Sequence, residues 1–216
     1  MKQRAIADAD KELRRHALLD AGRRLFQARP RQLPTVAAIA EDCRLAKGTV
    51  YLYFRSKEEI FIALLADDFD RLFAGIAALP MRAASVPEFA RIFCDAYLAF
   101  LAAHPEFLRL AAMASSVLEQ TVAPDVVLAF KTRLADGLQT SGSRLEAAMG
   151  LAPASGAQLL LQTYALTLGL WQAYDLPPAL ENMLSAPALQ VLRPDFAREL
   201  PLAISRLWIG AATLPS

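Results

Sequence analysis

Apolar positions recur along this chain with the three-to-four-residue period of a helix, and no alternating apolar and polar run bounded by turn residues suggests a strand. The pattern predicts an all-α fold. Leu13, Ala17, Leu18, Ala21, Leu25 and Phe26 form one stripe opposite Arg14, Arg23, Arg24 and Gln27, a first amphipathic helix that Pro30 and Pro34 bring to an end. Thr35 stands where an N-cap belongs, ahead of Val36, Ile39, Ala40 and Cys43, whose spacing makes two turns of helix with one buried side. A turn at "RLA" leads into another short helix, "KGTVYLYF", with Val50 and Phe54 facing inward. Ser56 and Glu59 read as a capping box heading a long helix that reaches about Leu79. Further helices are predicted over 87–103, 105–119, 125–149, 154–175 and 195–212, each beginning near a proline or a turn. The Pro-rich stretch between the last two has room for a turn or two of helix.

Composition adds that this chain folds: 55% hydrophobic and 21% charged residues over 216 positions support a sizeable core. Net charge is only +1, but residues 1–60 hold 13 Lys or Arg against 8 Asp or Glu while the remainder is net acidic. A polyanion is therefore expected to meet the first quarter of the molecule. Cys43 and Cys94 stand far apart on helical stretches and offer neither a disulfide framework nor a metal knuckle. Together with a charged N-terminus lacking a secretory core, this points to the cytoplasm. Residues 147–174 carry no charge and are long enough to raise a membrane span. Gln158, Gln162, Thr163, Thr167 and Gln172, with no basic anchor near the C-terminal end, favour a helix covered on most sides, as at a subunit interface.

Two short helices joined by a tight turn, the second polar on one side, describe a helix-turn-helix whose second helix enters the major groove of DNA. Gly48 lets the backbone approach the duplex, Thr49, Tyr51 and Tyr53 offer hydroxyls to phosphates, and Lys47 and Lys57 supply charge at either side. The lines "LLDAGRRLF" (Leu18 to Phe26), "TVAAIAEDCRLAKGTVYLYF" (Thr35 to Phe54) and "SKEEIF" (Ser56 to Phe61) resemble, in order and spacing, the N-terminal domain of TetR-like transcriptional regulators. The resemblance implies DNA contacts at Thr35, Ala37, Lys47, Gly48, Thr49, Tyr51, Leu52, Tyr53 and Lys57. Arg44 stands where the family usually has glycine, and is a candidate phosphate contact. Ala46 replaces a capping serine and Pro30 a glycine.

The same resemblance implies a three-helix DNA-binding domain over 1–57 and a larger helical domain over 58–216 that dimerises and binds a small effector. Phe89, Phe93, Tyr97 and Phe100 share one helix face, and with Met113, Phe130, Tyr164 and Trp171 they can wall an apolar pocket or simply form core. Asp95 and His104 are possible polar contacts. For the dimer, Ala165, Gly169 and Ala173 recur every four residues and allow close helix approach. Gln158 and Gln162 can bond across the interface, and Leu200, Ile204, Leu207 and Trp208 give the last helix a matching stripe. The expectation is a homodimeric regulator, a repressor in most of the family, acting on palindromic operator DNA and released by a small, largely apolar effector, with no membrane partner. No nucleophile elbow, phosphate loop or HExxH argues for an enzyme, and no metal or other cofactor is expected. Asp67, Asp68 and Asp70 read as a solvated face. An all-helical scaffold without a DNA role is the rival reading.

Overall fold

The computed structural model describes residues 2–29, 32–80, 85–175, 184, 187–192 and 195–213. Among them the regular structure is helical throughout. The elements are α1 (Lys2–Ala28), α2 (Val36–Asp42), α3 (Lys47–Val50), α4 (Lys57–Ala77), α5 (Val86–Ala103), α6 (Phe107–Met113), α7 (Glu119–Thr121), α8 (Pro124–Met149), α9 (Ser155–Tyr174) and α10 (Phe196–Thr213). A π-helical turn, Ala114–Leu118, joins α6 to α7, and a 3₁₀ turn, Pro187–Leu192, precedes α10. Pro30 and most of the Pro-rich stretch before α10 lie outside the described residues.

The predicted helices are present with three differences. First, α1 begins at Lys2, far ahead of the apolar stripe, because the preceding Ala, Lys, Glu and Arg residues are strong helix formers without a periodic signal. Leu13, taken as the head of that stripe, is 67% exposed. Second, α3 keeps only four residues of helix and continues to Phe54 in tight turns, with Tyr53 and Phe54 N–H groups both donating to Val50 O at 3.0 Å. Third, the stretch expected as one helix over 105–119 carries the π turn.

Chain contacts gather two compact units, Met1–Asp68 with His104–Arg133, and Phe69–Ala103 with Leu134–Ser216. In the first, Leu18, Leu19, Ala21 and Phe26 of α1 are buried, as are Ile39 of α2, Val50 of α3 and Ile60, Phe61, Leu64 and Leu65 of α4. Phe26 and Phe61 meet at 5.5 Å between ring centroids. A polar cluster sits beside this core. Arg23 of α1 forks onto Asp68 of α4 at 2.7 and 3.2 Å and pairs with Glu106 ahead of α6, which also accepts from Gln27 Nε2 at 2.7 Å. The side chains of Asp68 and Glu106 are 0% and 1% exposed, so the solvated acidic face read over Asp67, Asp68 and Asp70 is corrected at Asp68. Asp67 pairs with Arg133.

In the second unit α10 lies on α5 and α9. Trp208 is fully buried, its ring 4.2 Å from that of Phe93, and its Nε1 donates to Thr163 Oγ1 at 2.9 Å. Helices α8 and α9 touch backbone to backbone at Gly142 and Gly156, where a Cβ on either would overlap main-chain atoms of the other helix.

Candidate nucleic-acid interface and effector cavity

The helix-turn-helix is assembled by local rules. Thr35 caps α2, its Oγ1 accepting from Ala38 N–H at 3.1 Å. At the other end Leu45 N–H donates to Ala40 O at 2.8 Å and Arg44 N–H to Glu41 O at 2.9 Å. These are the paired bonds of a Schellman motif. The residue such a motif turns on is left-handed, and here it is Arg44 at φ 55°, which accounts for the usual glycine in the family. Ala46 opens α3 without a side-chain cap. Ser56 Oγ then accepts from Glu59 N–H at 3.1 Å, while the Glu59 carboxylate reaches back to Arg55 N–H at 2.6 Å, a capping box displaced by one residue on its return arm. Arg24 ties α1 to Asp42 at 2.5 Å, and the Arg15 guanidinium lies over the Phe54 ring at 5.5 Å.

Packing uses Val50 and Phe54 and leaves the proposed contact residues accessible. Thr35, Ala37, Arg44, Lys47, Gly48, Tyr51 and Leu52 are exposed, and Thr49, Tyr53 and Lys57 are half-buried. A Cβ on Gly48 would meet nothing within the chain, so its lack of a side chain serves no internal packing. Two basic residues were not read as DNA contacts: Lys11 and Arg14 of α1 border one groove with Asp10, Leu52 and Tyr53. Their spacing of three on a helix was the available signal. Arg55 was missed as well. Its guanidinium meets the Asp125 carboxylate at the start of α8 through two contacts of 3.3 Å, and that cation holds the Asp125 carboxyl below the usual carboxylate range.

Within the second unit an apolar cavity of about 30 Å³, room for roughly one water molecule, is walled by Phe69 and Phe73 of α4, Phe93 and Tyr97 of α5, Leu134 and Leu138 of α8 and Leu160 and Tyr164 of α9, among others. A second of the same size shares Leu72, Ile76, Phe93 and Tyr97 and adds Phe100. Gly137 faces the Phe73 ring so closely that a Cβ would collide with it. No charged side chain lines either cavity. Their polar groups are already engaged: Thr163 serves Trp208 and Leu159 O. Burial pushes the Tyr97 phenol up to about 12, with a hydrogen bond to Thr167 opposing it.

Of the residues expected to wall a pocket, Phe93, Tyr97, Phe100 and Tyr164 do so here. Phe89 packs on Trp208 in the core, and Trp171 lies half-buried on α9. Met113 and Phe130 belong to the first unit, where Phe130 borders a separate groove with Arg15 and Phe54. Asp95 turns to solvent and pairs with Arg91 at 3.1 Å, and His104 falls in the first unit. Along α9, Gln158, Gln162, Ala165, Gly169 and Ala173 are all exposed, as is Leu161. On α10, by contrast, Ile204 and Trp208 are fully buried within their own chain, with Leu200. The large apolar residues that this helix leaves exposed are Leu202 and Ile209.

A capped helix-turn-helix with an accessible second helix, on a chain that also folds a larger apolar helical unit, defines a one-component DNA-binding regulator. The family models agree. Residues 18–64 match the bacterial regulatory proteins of the tetR family, and residues 63–214 match a tetracyclin repressor-like C-terminal domain. The chain belongs to the TetR family and is a ligand-responsive DNA-binding transcriptional regulator. Its fold is similar to that of the fatty acid degradation regulator FadR from Bacillus halodurans (TM-score 0.58, 18% identity, covering 90% of this chain and 94% of that one). It is also similar to PfmR, a TetR family regulator from Thermus thermophilus (0.53, 16%, 89% and 97%). The same holds for FadR from Bacillus subtilis in complex with stearoyl-CoA (0.52, 16%, 91% and 98%). No curated protein matches the sequence. No helix among the described residues is long and apolar enough to cross a membrane.

Proposed function

We propose that the protein is a homodimeric repressor of the cytoplasm that holds a palindromic operator and is released by a small effector with a hydrocarbon body, and that it catalyses no reaction. The observation that carries this reading is the capped helix-turn-helix, whose core side chains Val50 and Phe54 leave Lys47 to Thr49 and Tyr51 to Tyr53 accessible. The DNA contacts are Thr35, Ala37, Arg44, Lys47, Gly48, Thr49, Tyr51, Leu52, Tyr53 and Lys57, within a DNA-binding region over 1–57, with Lys11 and Arg14 beside them. Two such helices must stand about 34–36 Å apart to enter successive major grooves. The dimer forms through Gln158, Gln162, Ala165, Gly169 and Ala173 of α9 with Leu202 and Ile209 of α10.

The effector enters among Phe93, Tyr97 and Tyr164, where the apolar walls favour an alkyl chain or ring and a charged group would lie unpaired. Because the cavities hold about one water each, binding has to displace aromatic walls. A ligand that favours the displaced arrangement shifts DNA affinity by a coupling energy of about 1–3 kcal/mol. The stearoyl-CoA bound to Bacillus subtilis FadR has an acyl chain of the kind such walls suit.

Fluorescence anisotropy against DNA from immediately upstream of its own gene, in a salt series beside an unrelated duplex, tests the regulator reading. Tight, salt-dependent preference for the upstream duplex is expected, weakened when Tyr51 and Tyr53 are both changed to Phe. Titration with stearoyl-CoA and with stearate, followed by tryptophan emission in a Trp171→Phe background so that the buried Trp208 alone reports, tests the effector reading. An unchanged spectrum together with unchanged DNA affinity would exclude long acyl chains as effectors.

A further inference from the structure

The segment after the recognition helix holds an arginine that the DNA-contact reading leaves unused. Arg55 lies between Tyr53 and Lys57, two residues proposed above to hold phosphates, yet its guanidinium is forked onto Asp125, Nη1 to Oδ1 and Nη2 to Oδ2, each at 3.3 Å. Both side chains are well exposed, 67% and 64%, so either can be reached by a partner from solution. The main chain at this point is fixed, since Arg55 N–H donates to Glu59 and Ser56 caps the helix that follows. Only the long side chain has to move for the fork to change partner. The Nη1–Nη2 edge of a guanidinium suits a carboxylate and a phosphate alike, and with Asp125 on both nitrogens that edge is closed to a phosphate.

We propose that Arg55 is a phosphate contact of the DNA complex, and that Asp125 holds it off the DNA in the unbound protein as an autoinhibitory latch. The proposal rests on the regulator reading above. Asp125 stands in the first turn of α8, and the same helix supplies Leu134 and Leu138 to the apolar cavity. The carboxylate that competes with DNA and part of the effector wall thus belong to one continuous element.

The test is anisotropy of the full-length protein on the upstream duplex across a salt series, with Asp125→Asn, Arg55→Gln, Arg55→Lys and the double variant. Arg55→Gln is expected to weaken binding and to reduce the log–log salt slope by about 0.9, the loss of one neutralised phosphate. Arg55→Lys keeps the slope. Asp125→Asn tightens binding by up to about fivefold, the fold-change corresponding to an exposed ion pair, and does nothing further in the Arg55→Gln background. A slope unchanged by Arg55→Gln overturns the phosphate contact. Affinity unchanged by Asp125→Asn, or an equal gain with and without Arg55, overturns the latch. If the wild-type protein binds no duplex at any salt, the regulator reading falls and the latch with it, whereas normal wild-type binding with indifferent variants removes the latch alone.

Discussion

Arg44 carries two requirements that pull against each other. Its left-handed φ of 55° costs an L-residue about 1–2 kcal/mol relative to a right-handed one, while glycine there would lose about 0.5–1 kcal/mol to its larger unfolded-state entropy. Arg44→Gly should therefore stabilise the protein by up to about 1 kcal/mol in urea unfolding, and should also weaken DNA binding with a shallower salt slope if the side chain meets a phosphate. Stabilisation with unchanged binding would leave Arg44 as a turn residue only. Arg23 differs in kind, because its partners are buried. Arg23→Met removes a cation shared by Asp68 and Glu106. Breaking a buried pair costs about 3–5 kcal/mol, and since Asp68 keeps other contacts the expected loss is about 3 kcal/mol, read from the denaturation midpoint. The Thr35 cap and the Ser56–Glu59 box could be read from the chain because donor and acceptor lie within four residues. The Arg23 pairings could not, since Asp68 and Glu106 are 45 and 83 positions away and each alone looks like a surface charge.

Helix positions could be read almost throughout, because burial on one side imposes its period on any helix that packs. The exceptions have local reasons. The sequence of the first turns of α1 carries no sustained run of large apolar residues, and α3 is too short for a period to show. The π turn at Ala114–Leu118 shifts the face by one residue, which a periodic pattern does not announce. The backbone-to-backbone packing of α8 on α9 depends on Gly142 and Gly156, two glycines among nine in the sequence with nothing local to mark them as a pair. Gly156→Ala places a methyl against the Gly142 carbonyl. It should lower stability by about 1–3 kcal/mol, as overpacking does, while Gly169→Ala, inside the same helix where a Cβ meets nothing, should raise the monomer's stability by about 0.5–1 kcal/mol through helix propensity. Equal melting temperatures for the Gly156→Ala variant and the wild type would mean that the two helices separate at little cost.

At the scale of the molecule the proposed subunit interface offers Leu202 at 42% and Ile209 at 39% exposure, large apolar side chains that the chain itself leaves uncovered. Ala165→Glu with Leu202→Glu places like charges on both sides of a two-fold contact. Sedimentation should then show a monomer, and operator affinity should fall by about a hundredfold as the second half-site becomes an independent event. An unchanged dimer would move the interface elsewhere. By itself the sequence determined the helical class, the helix-turn-helix with its caps and turn, and the aromatic and aliphatic residues from which an apolar unit would be built, because each follows from neighbours within a turn or two. Which members of those sets face inward was decided only by tertiary structure. The core of the second unit took Ile204 and Trp208 of α10 for itself and left Leu202 and Ile209 outside. Phe93, Tyr97 and Tyr164 met around a cavity while Phe130 joined the other unit. An apolar stripe records only that a helix buries one side. The partner that covers that side is set by which segments the chain brings together, and that information is spread over residues far apart in the sequence.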